Sequence, residues 1–182
     1  MHLGVEMLAV KSGETVLEIG SGTGKALVEL GYQAKKVYGL DLSPGMLQMA
    51  QVRLVKAGFE GRVRLLSGDG AALPYANQTF SALFMSFTLE LFDTSEIPHV
   101  LEECWRVLQP GGRLGLVAML KTEHPGRIVR LYEWFHAHFP SYVDYRPIDA
   151  EAMIQAAGFS VEKRLVNNMW GLPVELILAR KI

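Results

Sequence analysis

The chain has 182 residues, 49% of them hydrophobic and 20% charged, with a formal net charge of −1. That suits one globular domain with a full core and provides no global charge to attract nucleic acid or an anionic membrane. No basic run interleaved with aromatics occurs, no apolar stretch reaches the ~20 residues of a membrane span, and the N-terminus lacks a signal-peptide pattern. The expected setting is cytoplasmic, with no nucleic-acid partner and no membrane span. The single Cys104 excludes an internal disulfide; it shares helical spacing with Leu101, Trp105 and Leu108 and reads as a small buried apolar residue. No His or Cys cluster at ligand spacing accompanies it, so no metal site is expected.

Residues 15–19 predict a short apolar strand, followed at alternate positions by Gly20, Gly22 and Gly24 and then by a helix over about 24–31. Val37 to Leu40 predicts a second strand ending at Asp41. Ser43-Pro44 then supplies the favoured cap and first-turn residues of a helix reaching about Ala57, where Gly58 stops it. Arg62–Ser67 and Ala82–Ser86 predict the third and fourth strands. Pro98–Leu108 reads as an amphipathic helix closed by a turn at Gln109-Pro110-Gly111-Gly112, which feeds a fifth strand over Arg113–Met119. Alternating strands and helices imply a parallel sheet covered on both faces. Val161–Val166 and Val174–Arg180 are strands separated by only Asn167–Pro173, too short for a parallel crossover. They predict an antiparallel hairpin at one edge. The whole of 1–182 reads as one domain.

The turn after the first strand is the first candidate site. Glycine permits positive φ and lets a ligand approach the backbone, and a helix start offers unpaired N–H groups. Glu18 beside it would repel a pyrophosphate and attract a sulfonium or ammonium. Glu18-x-Gly20-x-Gly22-x-Gly24 also departs from the Gly-x-Gly-x-x-Gly spacing of dinucleotide binders, so S-adenosylmethionine is favoured over NAD. Asp41 can accept both hydroxyl hydrogens of a ribose; alternatively it is a carboxylate favoured by a helix N-terminus. Asp69, between Gly68 and Gly70, can accept from an adenine amino group, or is an ordinary Asp/Gly turn. In an open parallel sheet these strand ends converge on one crevice.

These segments resemble the class I, Rossmann-like S-adenosylmethionine-dependent methyltransferases, and in pattern the group containing the ubiquinone and menaquinone biosynthesis C-methyltransferases. The pieces that carry the resemblance are Val16–Gly24, Gly39–Leu47, Gly68–Tyr75, Phe80–Leu83 and Glu103–Gly112. The resemblance implies a seven-stranded sheet of order 3-2-1-4-5-7-6 with strand 7 antiparallel. It implies that Glu18, Gly20 and Gly22 surround the methionine part of the cofactor, with Ser21 also among the cofactor-binding residues, and that Asp41 holds the ribose. Leu42 and Met46 would pack on the adenine, Asp69 and Gly70 would read its edge, and the Ser86 backbone would lie near the amino group. Family members often carry a histidine pair after the fourth strand; this chain has Ser86-Phe87-Thr88-Leu89-Glu90, so no such role carries over.

The expected reaction is methyl transfer to a small-molecule acceptor by direct displacement, in which orientation and water exclusion lower the barrier. No catalytic residue is assigned; Glu90 and His124 are candidates if the acceptor must lose a proton. Residues 119–148 form an aromatic-rich insert on the substrate side. Within it Ile128, Leu131, Tyr132, Phe135 and Phe139 share helical spacing, while Trp134, Tyr142 and Tyr145 fall off the stripe and suit a lid or a contact between copies in a homodimer. The competing readings are a cofactor-holding protein without turnover and an NAD-dependent oxidoreductase.

Overall fold

Residues 2–120, 148–169 and 172–182 are described by the computed structural model. Seven strands form one sheet: β1 (Thr15–Ile19), β2 (Lys36–Asp41), β3 (Val63–Ser67), β4 (Phe80–Ser86), β5 (Leu108–Met119), β6 (Ser160–Met169) and β7 (Leu172–Arg180). Their order is β3-β2-β1-β4-β5-β7-β6. The pairs β3–β2, β2–β1, β1–β4 and β4–β5 are parallel, while β7 runs antiparallel to both β5 and β6. The expected strand order and terminal hairpin are both present.

Period-two alternation along the central strands feeds two cores. Leu17, Ile19, Leu83 and Met85 face one layer with α4 (Ile97–Val107) and α5 (Ala150–Ala156). Val16, Ala82 and Phe84 face the other, with α1 (His2–Leu8), α2 (Lys25–Gln33) and α3 (Pro44–Lys56). Cys104 is buried in the α4 stripe, and burial pushes its thiol up to about 12, so it serves as an apolar packing residue. Ser43 caps α3 as expected, its hydroxyl accepting from the Met46 amide at 3.3 Å with Pro44 in the first turn.

Three features depart from the sequence reading. The strand β5 begins at Leu108, which pairs with Phe80 before the register jumps to Ala82 and Arg113, so Pro110 and the glycines form an irregularity inside a strand rather than a turn before it. The hairpin pairs through Met169 and Leu172, further toward its tip than Val166 and Val174. Helix α1 was not anticipated: it is seven residues long, too short to be stable alone, and tertiary contacts hold it. A Cβ on Gly4 would lie 2.6 Å from Val117 Cγ2, so this glycine lets the helix sit close on the sheet.

Arg113 ties that helix down. Its guanidinium donates to the carbonyls of Leu8 and Ala9 at 2.6 and 2.9 Å and to both oxygens of Glu14 at 2.8 and 2.7 Å. Arg113 holds the Glu14 carboxyl below its usual value. Removing one partner of such a pair strands the other. We expect Arg113→Ala to lose about 3 kcal/mol in urea unfolding at pH 7. A lowered carboxylate contributes stability above its unfolded value that is lost as pH falls through the folded one. The variant should therefore also lose part of the wild-type decline in stability below pH ~4.5. An unchanged unfolding midpoint would show that α1 is held by apolar contacts alone.

Candidate functional site

Strand β1 ends against β2, and β2 holds the turn that follows. The amides of Gly20 and Ser21 both donate to the Leu40 carbonyl, at 2.8 and 3.0 Å. The Gly22 amide donates to Asp41 Oδ2 at 2.7 Å, while Asp41 Oδ1 accepts from the Ser43 amide at 2.9 Å. These turn amides are thus spent on the neighbouring strand and do not point at a ligand as a helix start would suggest. From α3, Arg53 Nη1 donates to the Thr23 hydroxyl at 2.7 Å and to its carbonyl, clamping the far side of the turn.

The three glycines have different physical reasons. All have positive φ. A Cβ on Gly20 would lie 2.3 Å from the Thr88 side chain, and one on Gly24 would lie 3.0 Å from Ala50 Cβ. Gly22 alone has open space within 4 Å of such a Cβ, so the turn is bare of side chain there.

Glu18 is buried on β1, 3% exposed, and its Oε2 has no hydrogen-bond partner among the described residues. Burial first, then the nearby carboxylates of Asp41 and Glu29, raise its pKa well above the usual value. A buried carboxylate next to others is costly unless a cation completes it. Ser21 Oγ and Ser86 Oγ are likewise buried without partners among the described residues.

A crevice of about 360 Å³ opens beside this turn, within the roughly 300–1,000 Å³ of small-ligand sites. It is lined at the end of β1 by Ile19 and Gly20, at β2 by Leu40, Asp41 and Leu42, and after β3 by Gly68, Asp69 and Gly70. Five of the anticipated residues therefore share one cavity wall: Gly20, Asp41, Leu42, Asp69 and Gly70. Glu18, Ser21, Gly22, Met46 and Ser86 are not among the residues lining it. Leu42 and Met46 are 73% and 42% exposed, so neither is ordinary helix-to-sheet packing. Asp69 Oδ1 accepts from the Ala71 amide at 2.9 Å, an Asx-type turn. The Ser86 carbonyl accepts from the Thr88 hydroxyl at 3.2 Å.

The fourth side of the crevice, Thr88, Leu91, Phe92 and Glu96, was not anticipated. In the stretch after β4 the sequence marked only Glu90, and nothing in its spacing marked a wall. The β3–β4 connection is itself held from α4. Arg106 donates to the carbonyls of Leu73 and Tyr75 at 2.9 and 2.7 Å, and Glu103 Oε2 accepts from the Leu73 amide at 2.7 Å. That fixes the segment carrying Asp69 and Gly70.

Glu90 lies in a 3₁₀ turn at Leu89–Leu91 and is fully buried. Its Oε1 accepts from the Met119 amide at 3.3 Å, and its Oε2 has no partner among the described residues. Burial, with a smaller contribution from Glu175, pushes its carboxyl up to about 7. Glu175 on β7 is also buried, and Arg164 donates to it at 3.0 Å. Leu120 pairs with Ile148 in an isolated parallel bridge at the end of β5. His124, the apolar stripe Ile128, Leu131, Tyr132, Phe135 and Phe139, and Trp134, Tyr142 and Tyr145 lie outside the described residues. No group of three or more His, Cys, Asp or Glu suited to a metal occurs among the described residues.

A family model described as a methyltransferase domain matches residues 16–112. The chain belongs to this methyltransferase-domain family. It is 39% identical over 132 residues to a demethylmenaquinone methyltransferase of Tropheryma whipplei, covering 70% of this chain and 51% of that protein. It is 31% identical over 124 residues to the ubiquinone/menaquinone biosynthesis C-methyltransferase UbiE of Dinoroseobacter shibae, covering 67% and 49%. The chain thus spans about half the length of the curated relatives it matches. Among solved structures, a putative methyltransferase from Bacillus halodurans superposes with TM-score 0.81 at 18% identity, covering 99% of this chain and 97% of that one. The [4+2]-cyclase SpnF gives TM-score 0.81 at 20% identity, over 99% and 78%; at such identities the likeness concerns the fold alone.

The cofactor of the family is S-adenosylmethionine, and the residues present fit it. The Glu18 Oε2, without a partner among the described residues, suits an ammonium, and the bare turn at Gly22 admits close approach.

Two outcomes follow from the geometry. Glu18→Gln should stabilise the ligand-free chain, because a carboxyl whose folded pKa is raised costs stability as pH rises above its unfolded value. In thermal unfolding the gain should be larger at pH 8 than at pH 5, and a destabilised variant would contradict the account of Glu18. Gly22→Ala has room for its methyl group and should stay folded despite strain of ~1–2 kcal/mol. It should nevertheless lose S-adenosylhomocysteine binding in calorimetry. Full affinity in the folded variant would mean the ligand does not cross this turn.

Proposed function

We propose that this chain transfers the methyl group of S-adenosylmethionine to a ring carbon of a small quinol-type aromatic by direct in-line displacement. It does so as one domain over 1–182, with residues 119–148 as the acceptor-side insert. The observation that carries the reading is the buried Glu18 carboxyl, whose Oε2 has no partner among the described residues, beside a glycine turn with open space at Gly22. A dinucleotide pyrophosphate would be repelled there, whereas a zwitterionic methionine end supplies the missing ammonium. The acceptor class rests on the relatives, named for demethylmenaquinone and for ubiquinone/menaquinone C-methylation.

In this reading Glu18 holds the cofactor ammonium, with Gly20, Ser21 and Gly22 around the methionine end. Asp41 keeps its carboxylate in place through the Gly22 and Ser43 amides while its remaining lone pairs accept from ribose hydroxyls. Leu42 and Met46 cover the adenine, Asp69 and Gly70 read its edge, and the Ser86 backbone meets its amino group. The bound cofactor supplies an electrophilic methyl and a neutral thioether leaving group. The protein's part is alignment and water exclusion, which can provide ~7–11 kcal/mol of barrier lowering.

Methylating an aromatic carbon releases one proton. Glu90 is the proton acceptor in this reading, its carboxyl raised to about 7 by burial beside Met119 and near Glu175. A base with that value is protonated and idle at lower pH, so turnover should rise as pH increases through ~7. Glu90→Gln should keep its amide bond to Met119 and its cofactor affinity, lose ~10²-fold or more in kcat, and flatten that pH rise. An unaltered pH profile would remove Glu90 from the mechanism.

The direct test combines calorimetry with turnover. The chain should bind S-adenosylmethionine and S-adenosylhomocysteine, and methyl-labelled cofactor should label a ring carbon of a short-chain 2-prenyl-1,4-naphthoquinol. Binding of NAD alone would overturn the reading; cofactor binding without transfer would favour a cofactor-holding protein.

A further inference from the structure

Helix α3 turns an unusual face to solvent. Met49, Val52 and Val55, spaced three apart, are 56%, 55% and 47% exposed. The thirteen residues of this helix include no Asp or Glu. A shallow groove of about 430 Å³ runs along the row, bordered by Gly45, Gln48, Met49, Val52 and Lys56. An amphipathic helix normally turns charge outward; this one buries Ala50 and Leu54 and still presents apolar side chains on its other face.

The C-terminal end of the same helix meets a basic cluster. Lys35, Lys36, Arg62 and Arg64 border one small cavity. The Arg62 guanidinium lies 5.4 Å from the ring centroid of Phe59, just beyond α3, and its Nη2 donates to the Gly31 carbonyl at 3.3 Å. Among the described residues, Lys35, Lys36, Lys56 and Arg64 enter none of the ion pairs of the structure. Residues 31–67 carry six Lys and Arg against two Asp and Glu, in a chain of net charge −1 overall. The positive charge is therefore local.

An apolar helical row flanked by uncompensated cations matches the interface of an anionic lipid bilayer. Apolar side chains enter the headgroup boundary and each nearby Lys or Arg adds attraction. We propose that α3 and the adjoining Lys35/Lys36/Lys56/Arg64 cluster form a peripheral docking face for an anionic membrane surface. The charge complementarity of the cluster selects this occupant over an uncharged apolar partner. Helix α3 starts two residues after Leu42, which lines the crevice, so the docking face and the crevice share one element. The docking face stands on these surface features alone and does not depend on the acceptor.

The test is co-sedimentation of the full chain with vesicles of phosphatidylcholine alone and of phosphatidylcholine mixed with phosphatidylglycerol. The chain should bind the anionic vesicles, release with added salt, and bind pure phosphatidylcholine at least tenfold less. Met49→Glu with Val52→Glu should abolish binding, and Lys36→Glu with Arg64→Glu should weaken it about tenfold. Leu165→Glu on the distant β6 edge should leave it unchanged. Circular dichroism and S-adenosylhomocysteine affinity report the fold and the cofactor site separately, so failure to dock is distinguishable from failure of the methyl-transfer reading. Absence of binding to anionic vesicles, or binding indifferent to the α3 substitutions, would overturn the proposal. So would a concentration-dependent dimer abolished by the Met49/Val52 variant in a chain that ignores vesicles, which would assign the face to a second copy.

Discussion

The turn after β1 is held by the strand beside it, and the site depends on that bond pattern. The carbonyl of Leu40 takes two amides of the turn, and the Asp41 carboxylate takes a third while also bonding the start of α3. One side chain thereby fixes the exits of β1 and β2 relative to each other. Asp41 therefore has a structural role of its own: replacing it would loosen the turn. The Arg53 bonds to Thr23 and the Arg106 bonds to the β3–β4 connection do the same work from α3 and α4.

Within that rigid frame the carboxylates stand out because they are not neutralised. Glu18 and Glu90 are buried with an unpartnered oxygen each, and burial raises both. Buried charge without a partner usually marks a function rather than a stabilising feature. The two differ in direction. Glu18 lies on β1 near the carboxylates of Asp41 and Glu29, where a cation is the natural partner. Glu90 faces the end of β5 and Glu175, where a proton is the natural partner.

Much of this frame was legible in the sequence because local chemistry and global fold agree. Apolar strands, the Ser43-Pro44 cap and the short terminal hairpin each have only one sensible structural outcome, and the strand order followed from the family pattern. What escaped notice depended on contacts between distant residues. Helix α1 lacks the length to announce itself and exists because Gly4 fits under Val117 and Arg113 reaches back to Leu8. The role of Gly20 is set by Thr88, and that of Gly70 by Phe92, 2.8 Å from where its Cβ would lie. No spacing rule connects those pairs. The Glu90–Glu175 proximity and the cations around α3, which enter no ion pair among the described residues, are likewise properties of the folded surface and core, invisible to periodicity.

The account depends most on Glu18 as the group that chooses the cofactor. A crystal structure of the chain with S-adenosylhomocysteine tests it directly. The amino group of the ligand should lie within hydrogen-bond distance of Glu18, with the ribose on Asp41 and the adenine between Leu42 and Gly70. A ligand seated elsewhere, or one that leaves Glu18 Oε2 without a partner, would contradict it.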